Sequence, residues 1–321
     1  MGIEALTDSN PSVSVVVPAY NAEHTIGVMI ESVLSQTYPN LELIICDDAS
    51  TDQTICVVES YSDDRIKLVH NDENMGEGAA RDRAIAEARG HWIALLDADD
   101  AWCPRRLSAL LDAVGTDTDR MIFDDMWECH HTAKGLVPWR RVRGKGAYGA
   151  NNVAVDVPIS EWARSKRLIM QPFIPTAQLR VSGVLHSRRR FGADTEFVLK
   201  LIAAGLKLRY VPHAYYLYRI SPASMTAIRS RHTLMEEVLE QAITTFAHDE
   251  TMVQSLRLRL KQEQRNEAYS HFMWSLKDRD YAKAIQQSAH RPWLIAELLK
   301  RIIRELPYHG HRILHHGSGR N

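Results

Sequence analysis

Trp92-Ile93-Ala94-Leu95-Leu96-Asp97-Ala98-Asp99-Asp100 decides how the rest of the chain is read. A short apolar run ends in three carboxylates and then breaks toward Pro104. That pattern is a buried strand delivering acidic side chains at its carboxyl end. Residues at i and i+2 of a strand share a face, roughly 6–7 Å apart, so the spacing predicts that Asp97 and Asp99 converge on one small ligand. No lysine or arginine adjoins them in sequence, and all-oxygen ligation suits a hard cation, Mg2+ or Mn2+. A polar turn whose aspartates cap a helix starting near Pro104 accounts for this stretch equally well on its own.

The surrounding sequence decides between these readings. Upstream, Val13–Val17 is a β-branched run closed by Pro18, and Leu41–Cys46 is a second apolar run closed by Asp47 and Asp48. Between them Ile26, Met29, Ile30, Val33 and Leu34 fall on one helical face, which Tyr38-Pro39-Asn40 terminates. Asp52 reads as the cap of a helix through Val58, Ile66–His70 as a third strand, and Gly78–Ala88 as a helix stopped by Gly90. Strands alternating with helices at this spacing predict a parallel α/β sheet over the first ~125 residues. Ligands of such sheets bind beyond the carboxyl ends of the strands, where Pro18, Asp48 and Asp97–Asp100 all fall.

Composition bounds the function. The chain has 321 residues, 45% hydrophobic and 25% charged, with a formal net charge of -1. These are ordinary values for a globular protein, and the charge argues against general nucleic-acid binding. Cys46, Cys56, Cys103 and Cys129 form no C-x-x-C pair, which suits a reducing cytoplasm. Residues Met1–Asn10 show neither a basic start nor an apolar core, so no signal peptide is expected, and no apolar run approaches the ~20 residues that span a bilayer. The first strand lacks a following G-x-G-x-x-G, which disfavours a dinucleotide fold. A phospho-acceptor receiver domain would be shorter and would need a lysine at the end of a late strand.

Four ordered motifs, Val13-Ser14-Val15-Val16-Val17-Pro18-Ala19-Tyr20-Asn21, Cys46-Asp47-Asp48-Ala49-Ser50-Thr51-Asp52, Ala80-Arg81-Asp82 and Leu96-Asp97-Ala98-Asp99-Asp100, together resemble the family 2 glycosyltransferases. The resemblance implies the GT-A fold, a Rossmann-like, mostly parallel α/β sheet, and inverting transfer from a nucleotide-diphospho-sugar. It implies donor-binding roles for Pro18, Tyr20, Asp48, Arg81 and Asp97, with Asp48 on the nucleobase and Asp97 near the sugar-ribose end. It places a divalent metal, Mn2+ or Mg2+, on Asp99 with Asp97 beside it. Asp82 stands where the family usually has Asn.

Farther along, Met121–Phe123 reads as a fifth strand ending at Asp124 and Asp125, His130 and His131 as surface histidines, and Arg140–Lys145 as a basic, flexible loop over the mouth of the site. Arg188-Arg189-Arg190 precedes Phe191–Phe197, which opens a helix through Ala204, and Leu206–Val211 reads as a strand. This block resembles the family's second acidic signature, with Ala193 in place of its Glu, and it implies that Asp194 is the catalytic base. Glu196 is the competing carboxylate and a helix cap the competing role. Tyr216–Arg219 and Ser221–Ser224 resemble the segment that follows. The later region is most similar to exopolysaccharide enzymes, including succinoglycan-type glucosyltransferases.

The expected organisation is a transferase domain over 11–228, with a donor half 11–125 and an acceptor half 126–228, and a helical C-terminal extension over 229–321. In that extension Leu294, Ile295, Leu298, Leu299, Ile302, Ile303 and Leu306 form one apolar stripe opposite Lys300, Arg301 and Arg304. Such a helix, 293–306, can lie on an anionic membrane or pack on the protein. His309, His311, His315 and His316 read as a frayed tail. The resulting expectation is a hexosyltransferase moving glucose from UDP-glucose to a saccharide or polyprenyl-diphosphate-linked oligosaccharide. It would act in the cytoplasm or on the inner face of the plasma membrane. A catalytically impaired nucleotide-sugar-binding scaffold and a nucleotidyltransferase remain as alternatives.

Overall fold

Successive side chains of the first strands alternate between two apolar layers, and this alternation builds the fold. The computed structural model describes residues 12–132, 135–165, 170–189, 191–220 and 231–310, apart from the side chains of 301 and 303–310. The strands are β1 (Val13–Ala19), β2 (Leu41–Asp47), β3 (Ile66–His70), β4 (Trp92–Leu95), β5 (Ala101–Trp102), β6 (Arg120–Thr132), β7 (Gly135–Arg141), β8 (Val155–Val157), β9 (Phe173–Pro175) and β10 (Lys207–Arg219). They form one sheet in the order β3-β2-β1-β4-β9-β6-β10-β5, with β7 added to β6 and β8 to β10. β3, β2, β1 and β4 run parallel, as do β6 and β10. The short antiparallel β9 joins the two blocks.

The helices are α1 (Ile26–Leu34), α2 (Thr54–Glu59), α3 (Glu77–Ala86), α4 (Arg106–Asp112), α5 (Ile159–Arg164), α6 (Thr176–Ser182), α7 (Ala193–Ala203), α8 (Arg231–Thr245), α9 (Glu250–Lys277), α10 (Tyr281–His290) and α11 (Trp293–Gly310). Val13, Val15 and Val17 of β1 pack with Ile26, Met29, Ile30 and Val33 of α1 and with Leu107 and Leu110 of α4. Val16, Ile44 and Ile93 face the other layer with Ala80 and Ala84 of α3 and Phe197, Val198 and Leu201 of α7. Every residue of β1 and β2 is buried, as strands covered on both faces must be.

Several sequence expectations change in the second half of the sheet. β6 does not end at Asp124 and Asp125 but runs through them to Thr132, and β10 continues past Val211 to Arg219 with register shifts against β6. The basic segment expected as a loop belongs in part to β7, which pairs antiparallel with β6. Its charges are satisfied there: Arg140 is paired with Glu128 and Arg141 with the buried Asp125. Asp125 also accepts from the backbone N–H groups of Arg143 and Gly144.

The chain divides into two compact units, Met1–Leu260 and Lys261–Asn321. The helical part expected from 229 therefore begins inside the first unit, because Val238, Leu239 and Ala242 of α8 join the core that contains α7. In the second unit Phe272, Ala284 and Leu294 form a small core, with Trp293 and Leu298 packed against it. The expected stripe of α11 is thus split. Leu294 faces inward, while Ile295, Leu299 and Ile302 are exposed. Ser221–Ser224, His311, His315, His316 and the side chains of Arg301, Ile303, Arg304, Leu306 and His309 lie outside the described residues. No helix of the described residues is long and apolar enough to cross a membrane.

Gly90, read from sequence as a helix stop, has a further reason to be glycine. Its N–H donates to Ser14 Oγ at 2.8 Å, and that hydroxyl donates to the buried Glu42 at 2.6 Å. A Cβ on Gly90 would lie 2.6 Å from Ser14 N and 2.8 Å from the Val13 carbonyl carbon, so the backbone of central strand β1 would have to move. Gly90→Ala is expected to lower stability by about 1–3 kcal/mol, the usual cost of overpacking, read as a fall in urea midpoint with an unchanged slope.

Candidate active site

The parallel register brings three loop starts to one edge: Ala19 pairs with Asp47, Asp47 with His70, and Val16 with Leu95. Pro18 is still within β1, and Tyr20, the first residue beyond the strand, is half exposed. Asp48 leaves β2 buried, and its carboxylate is a scaffold for the next loop. Oδ1 accepts from Asn71 Nδ2 at 2.7 Å and Met75 N at 2.9 Å, and Oδ2 accepts from Gly76 N at 2.8 Å. Gly76, at φ 90, sits in a region that favours glycine and leads directly into α3. Asp52 accepts from Thr54 N and Oγ1 and from Glu23 N, so it ties the start of α2 to the loop after β1.

α3 carries the residue on which the site converges. Ala80 and Ala84 are buried in the core with β1 and β2 residues, and Gly78 lets the segment before α7 come close, since a Cβ there would meet Ser187 O at 2.7 Å. Arg81 is buried, with a side chain only 1% exposed. Its guanidinium donates to Asp97 Oδ1 at 2.6 Å, Asp194 Oδ1 at 2.6 Å and Glu77 Oε1 at 2.5 Å. A buried cation needs such partners, since an unpaired one costs several kcal/mol, on the order of the desolvation penalty itself. Burial is the largest influence on Asp97 and pushes its carboxyl well above the usual range, with Arg81 opposing.

The acidic stretch after β4 differs in geometry from the sequence expectation. The strand stops at Leu95, and Asp97–Asp100 is a turn in which Asp100 N donates to Asp97 O at 3.1 Å. Asp97 and Asp99 therefore do not share a strand face. Asp97 is also not without a basic neighbour, because Arg81 reaches it from α3 and Gln171 Nε2 donates to its other oxygen at 2.8 Å. Asp99 is exposed, and its backbone carbonyl accepts from Arg219 Nε at 2.5 Å. Asp100 is buried and accepts from Tyr216 Oη and Arg219 N, each at 2.7 Å. Burial raises both the Asp100 carboxyl and the Tyr216 phenol. His131, at the surface, contacts the Arg219 guanidinium.

Asp194 lies in the first turn of α7, whose N-cap is Gly192 with no side-chain cap. Its partner is Arg81, whereas Arg189 pairs with Glu196 and Glu237. Glu196 is also held by Lys200 and Ser187, turned from Asp194 as two-residue helical spacing requires. Asp82 is occupied by His186, through its backbone N at 2.9 Å and Nδ1 at 2.6 Å.

The donor set fits a hard cation only in part from the protein. Among the described residues no group of three His, Cys, Asp or Glu could hold a metal. Asp99 offers an exposed carboxylate at the strand edge, and Mg2+-type ions are commonly held by one or two carboxylates plus substrate phosphates. Asp97, Asp194, Arg81 and Asp99 are thus gathered at one edge, with Asp48 behind them as the support of α3. Gln171 and Glu77 carried no sequence signal; each joins the cluster only through the folded chain.

The chain is similar to known glycosyltransferases in sequence and in fold. Residues 14–134 match the family described as Glycosyl transferase family 2. The chain is 50% identical over 95 residues to the UDP-Glc:alpha-D-GlcNAc-diphosphoundecaprenol beta-1,3-glucosyltransferase WfgD of Escherichia coli, a match covering 30% of this chain and 38% of that relative. It is 27% identical to the succinoglycan biosynthesis protein ExoO of Rhizobium meliloti (strain 1021), over 97% of this chain and 90% of ExoO. Among solved structures, S. aureus TarS 1-349 in complex with UDP-GlcNAc superposes with TM-score 0.62 at 21% identity, over 82% of this chain and 73% of that one. The mannosyltransferase PcManGT of Pyrobaculum calidifontis, in complex with GDP-Man and Mn2+, gives 0.60 at 20%, over 94% and 83%. These structures share the GT-A fold with this chain, whose residues 14–134 are similar to glycosyl transferase family 2.

Removing the Arg81 charge tests the cluster. Arg81→Met is expected to destabilise by about 3–5 kcal/mol, as breaking a buried pair does. Burial holds the Asp97 carboxyl well above its usual range, so the folded form binds the extra proton and stability in the variant rises as pH falls toward the ordinary carboxylate range. Urea midpoints taken over that fall should show the deficit shrinking toward acid pH.

Proposed function

We propose that the protein is an inverting hexosyltransferase that moves glucose from UDP-glucose onto a saccharide or polyprenyl-diphosphate-linked acceptor during bacterial exopolysaccharide synthesis. The observation that carries this reading is the Asp97–Arg81–Asp194 chain. One buried guanidinium holds a carboxylate from the β4 edge and another from the start of α7 in fixed relation. Support for the donor and pathway comes from the similarity to the UDP-Glc-dependent glucosyltransferase WfgD and to the succinoglycan biosynthesis protein ExoO.

In this reading Pro18, Tyr20, Asp48 and Arg81 shape the donor side and Asp97 borders its sugar. Asp194, half exposed where Arg81 is buried, takes the proton from the acceptor hydroxyl. That oxygen bonds to the anomeric carbon as the bond to the diphosphate breaks, so the configuration inverts and UDP leaves. A positioned base of this kind contributes roughly 100- to 10,000-fold. Mn2+ or Mg2+ on Asp99 would supply Lewis-acid stabilisation of the departing diphosphate.

Release of UDP from UDP-glucose, with and without lipid-linked acceptor, tests the assignment. Asp194→Asn is expected to lower kcat by about 100-fold or more while donor binding persists, and chelator should abolish turnover. Full turnover in chelator would remove the metal from the reading, and a rate kept in Asp194→Asn but lost in Glu196→Gln would move the base to Glu196.

A membrane contact through 293–306 is part of the same reading. Ile295, Leu299 and Ile302 recur at helical spacing and are exposed, beside the exposed Lys300. Weak, salt-sensitive binding to anionic vesicles is expected, at about 1 kcal/mol per basic side chain. Co-sedimentation of the full chain against one ending at Arg291 measures it, and equal pelleting of both would count against the contact.

A further inference from the structure

The ring of His186 is wholly buried, and Asp82 of α3 holds the residue twice. One carboxylate oxygen accepts from the His186 backbone N–H at 2.9 Å, and the other meets Nδ1 at 2.6 Å. Nε2 is buried with no hydrogen-bond partner. These surroundings select the tautomer. With its hydrogen on Nδ1 the ring donates to the carboxylate and strands only an acceptor. A hydrogen on Nε2 would set a lone pair against the carboxylate and bury an unpaired N–H. Two donors arriving at separate oxygens also require a carboxylate. The amide of the Asn usual at this position would turn its own N–H2 on one of them, so Asp82 and His186 belong together.

One face of the ring stacks on Phe197 of α7, with centroids 3.7 Å apart and planes 12° from parallel. Ser187 extends the link by donating to Glu196 of α7 at 2.7 Å, and its carbonyl lies against Gly78 of α3. Residues 186–187 therefore fill the space between the two helices. Asp82 directly follows Arg81, and Phe197 lies just under one helical turn beyond Asp194. The Asp82–His186–Phe197 link thus runs beside the 2.6 Å Arg81–Asp194 ion pair.

We propose that His186 is a positioning residue for the transfer reaction. Held by Asp82 and stacked on Phe197, it sets the separation of α3 and α7 at which Asp194 meets Arg81 and faces the acceptor hydroxyl. The inference rests on the reading of Asp194 as the base. A small misplacement of a reacting group lowers the rate without weakening the binding of a substrate it does not hold.

The test measures kcat with UDP-glucose and lipid-linked acceptor, and donor affinity by calorimetry, on the folded full chain. His186→Phe keeps the stack and removes the donor; Asp82→Asn removes the second acceptor. Each is expected to lower kcat by about 10- to 100-fold with donor affinity unchanged. The double substitution should be no worse than either single one, because the two side chains act as a unit. A purely structural role would lower the urea midpoint and leave kcat at the native level. If His186→Phe fails to fold, Asp82→Asn, on a partly exposed side chain, carries the comparison alone. Native kcat in the variants, donor affinity falling in step with kcat, or fully additive losses overturn the inference while the base assignment stands. Native kcat in Asp194→Asn, or no UDP release by the native protein, overturns that assignment and this inference together.

Discussion

A single guanidinium, that of Arg81, has to be neutralised where water cannot reach it, and the layout of the first unit follows from how that is done. Its three carboxylates come from different places: Glu77 one turn earlier in α3, Asp97 beyond β4, and Asp194 at a separation of 113 residues. Asp97 is the most enclosed of the three, while Asp194 and Glu77 reach the guanidinium from more exposed positions. Three acids around one base also leave an excess of negative charge, which explains why burial, together with the charges of Glu77 and Asp194, drives the Asp97 carboxyl upward despite the arginine.

Arg81 occupies this position because of interactions that start one strand earlier. Asp48 ends β2 by gathering the backbone of Met75 and Gly76, and those residues lead into α3. The small residues of α3 let it sit against β1 and β2, so a long side chain at Arg81 reaches over the sheet edge rather than into solvent. The far block of the sheet uses the same device. Asp124 holds Arg106, and Asp125 holds Arg141 and the turn after β7. Buried acid–arginine pairs thus fix both halves of the edge, and Gln171 links them, bonded to Asp97 on one side and Arg106 on the other.

The parallel block was legible from sequence because its strands are continuous apolar runs bounded by Pro, Asp or Gly. β3 was read with its observed ends, and β1, β2 and β4 to within two residues. The second block resisted because its elements are short or charged. β5, β8 and β9 have two or three residues each, too few to show a period. β7 carries Arg140 and Arg141, whose pairing to Glu128 and Asp125 depends on a register that no local pattern reveals. The acidic stretch was recognised for what it contains but not for its shape. The i, i+2 rule holds only while the strand lasts, and β4 ends two residues before Asp97.

Two departures from the family pattern acquire a physical account in the folded chain. Asp82, where Asn is usual, accepts from both the backbone and the ring of His186. That ring stacks on Phe197 of α7 at 3.7 Å between centroids. The substitution therefore couples α3 to the segment that leads into α7, the two elements whose spacing sets the Arg81–Asp194 contact. Ala193, where a Glu is usual, opens α7 without bringing a carboxylate, and the third acid on Arg81 is Glu77 from α3. Geometry at the β4 edge and at the start of α7 is tied through α3 twice, once by charge and once by the stacked His186.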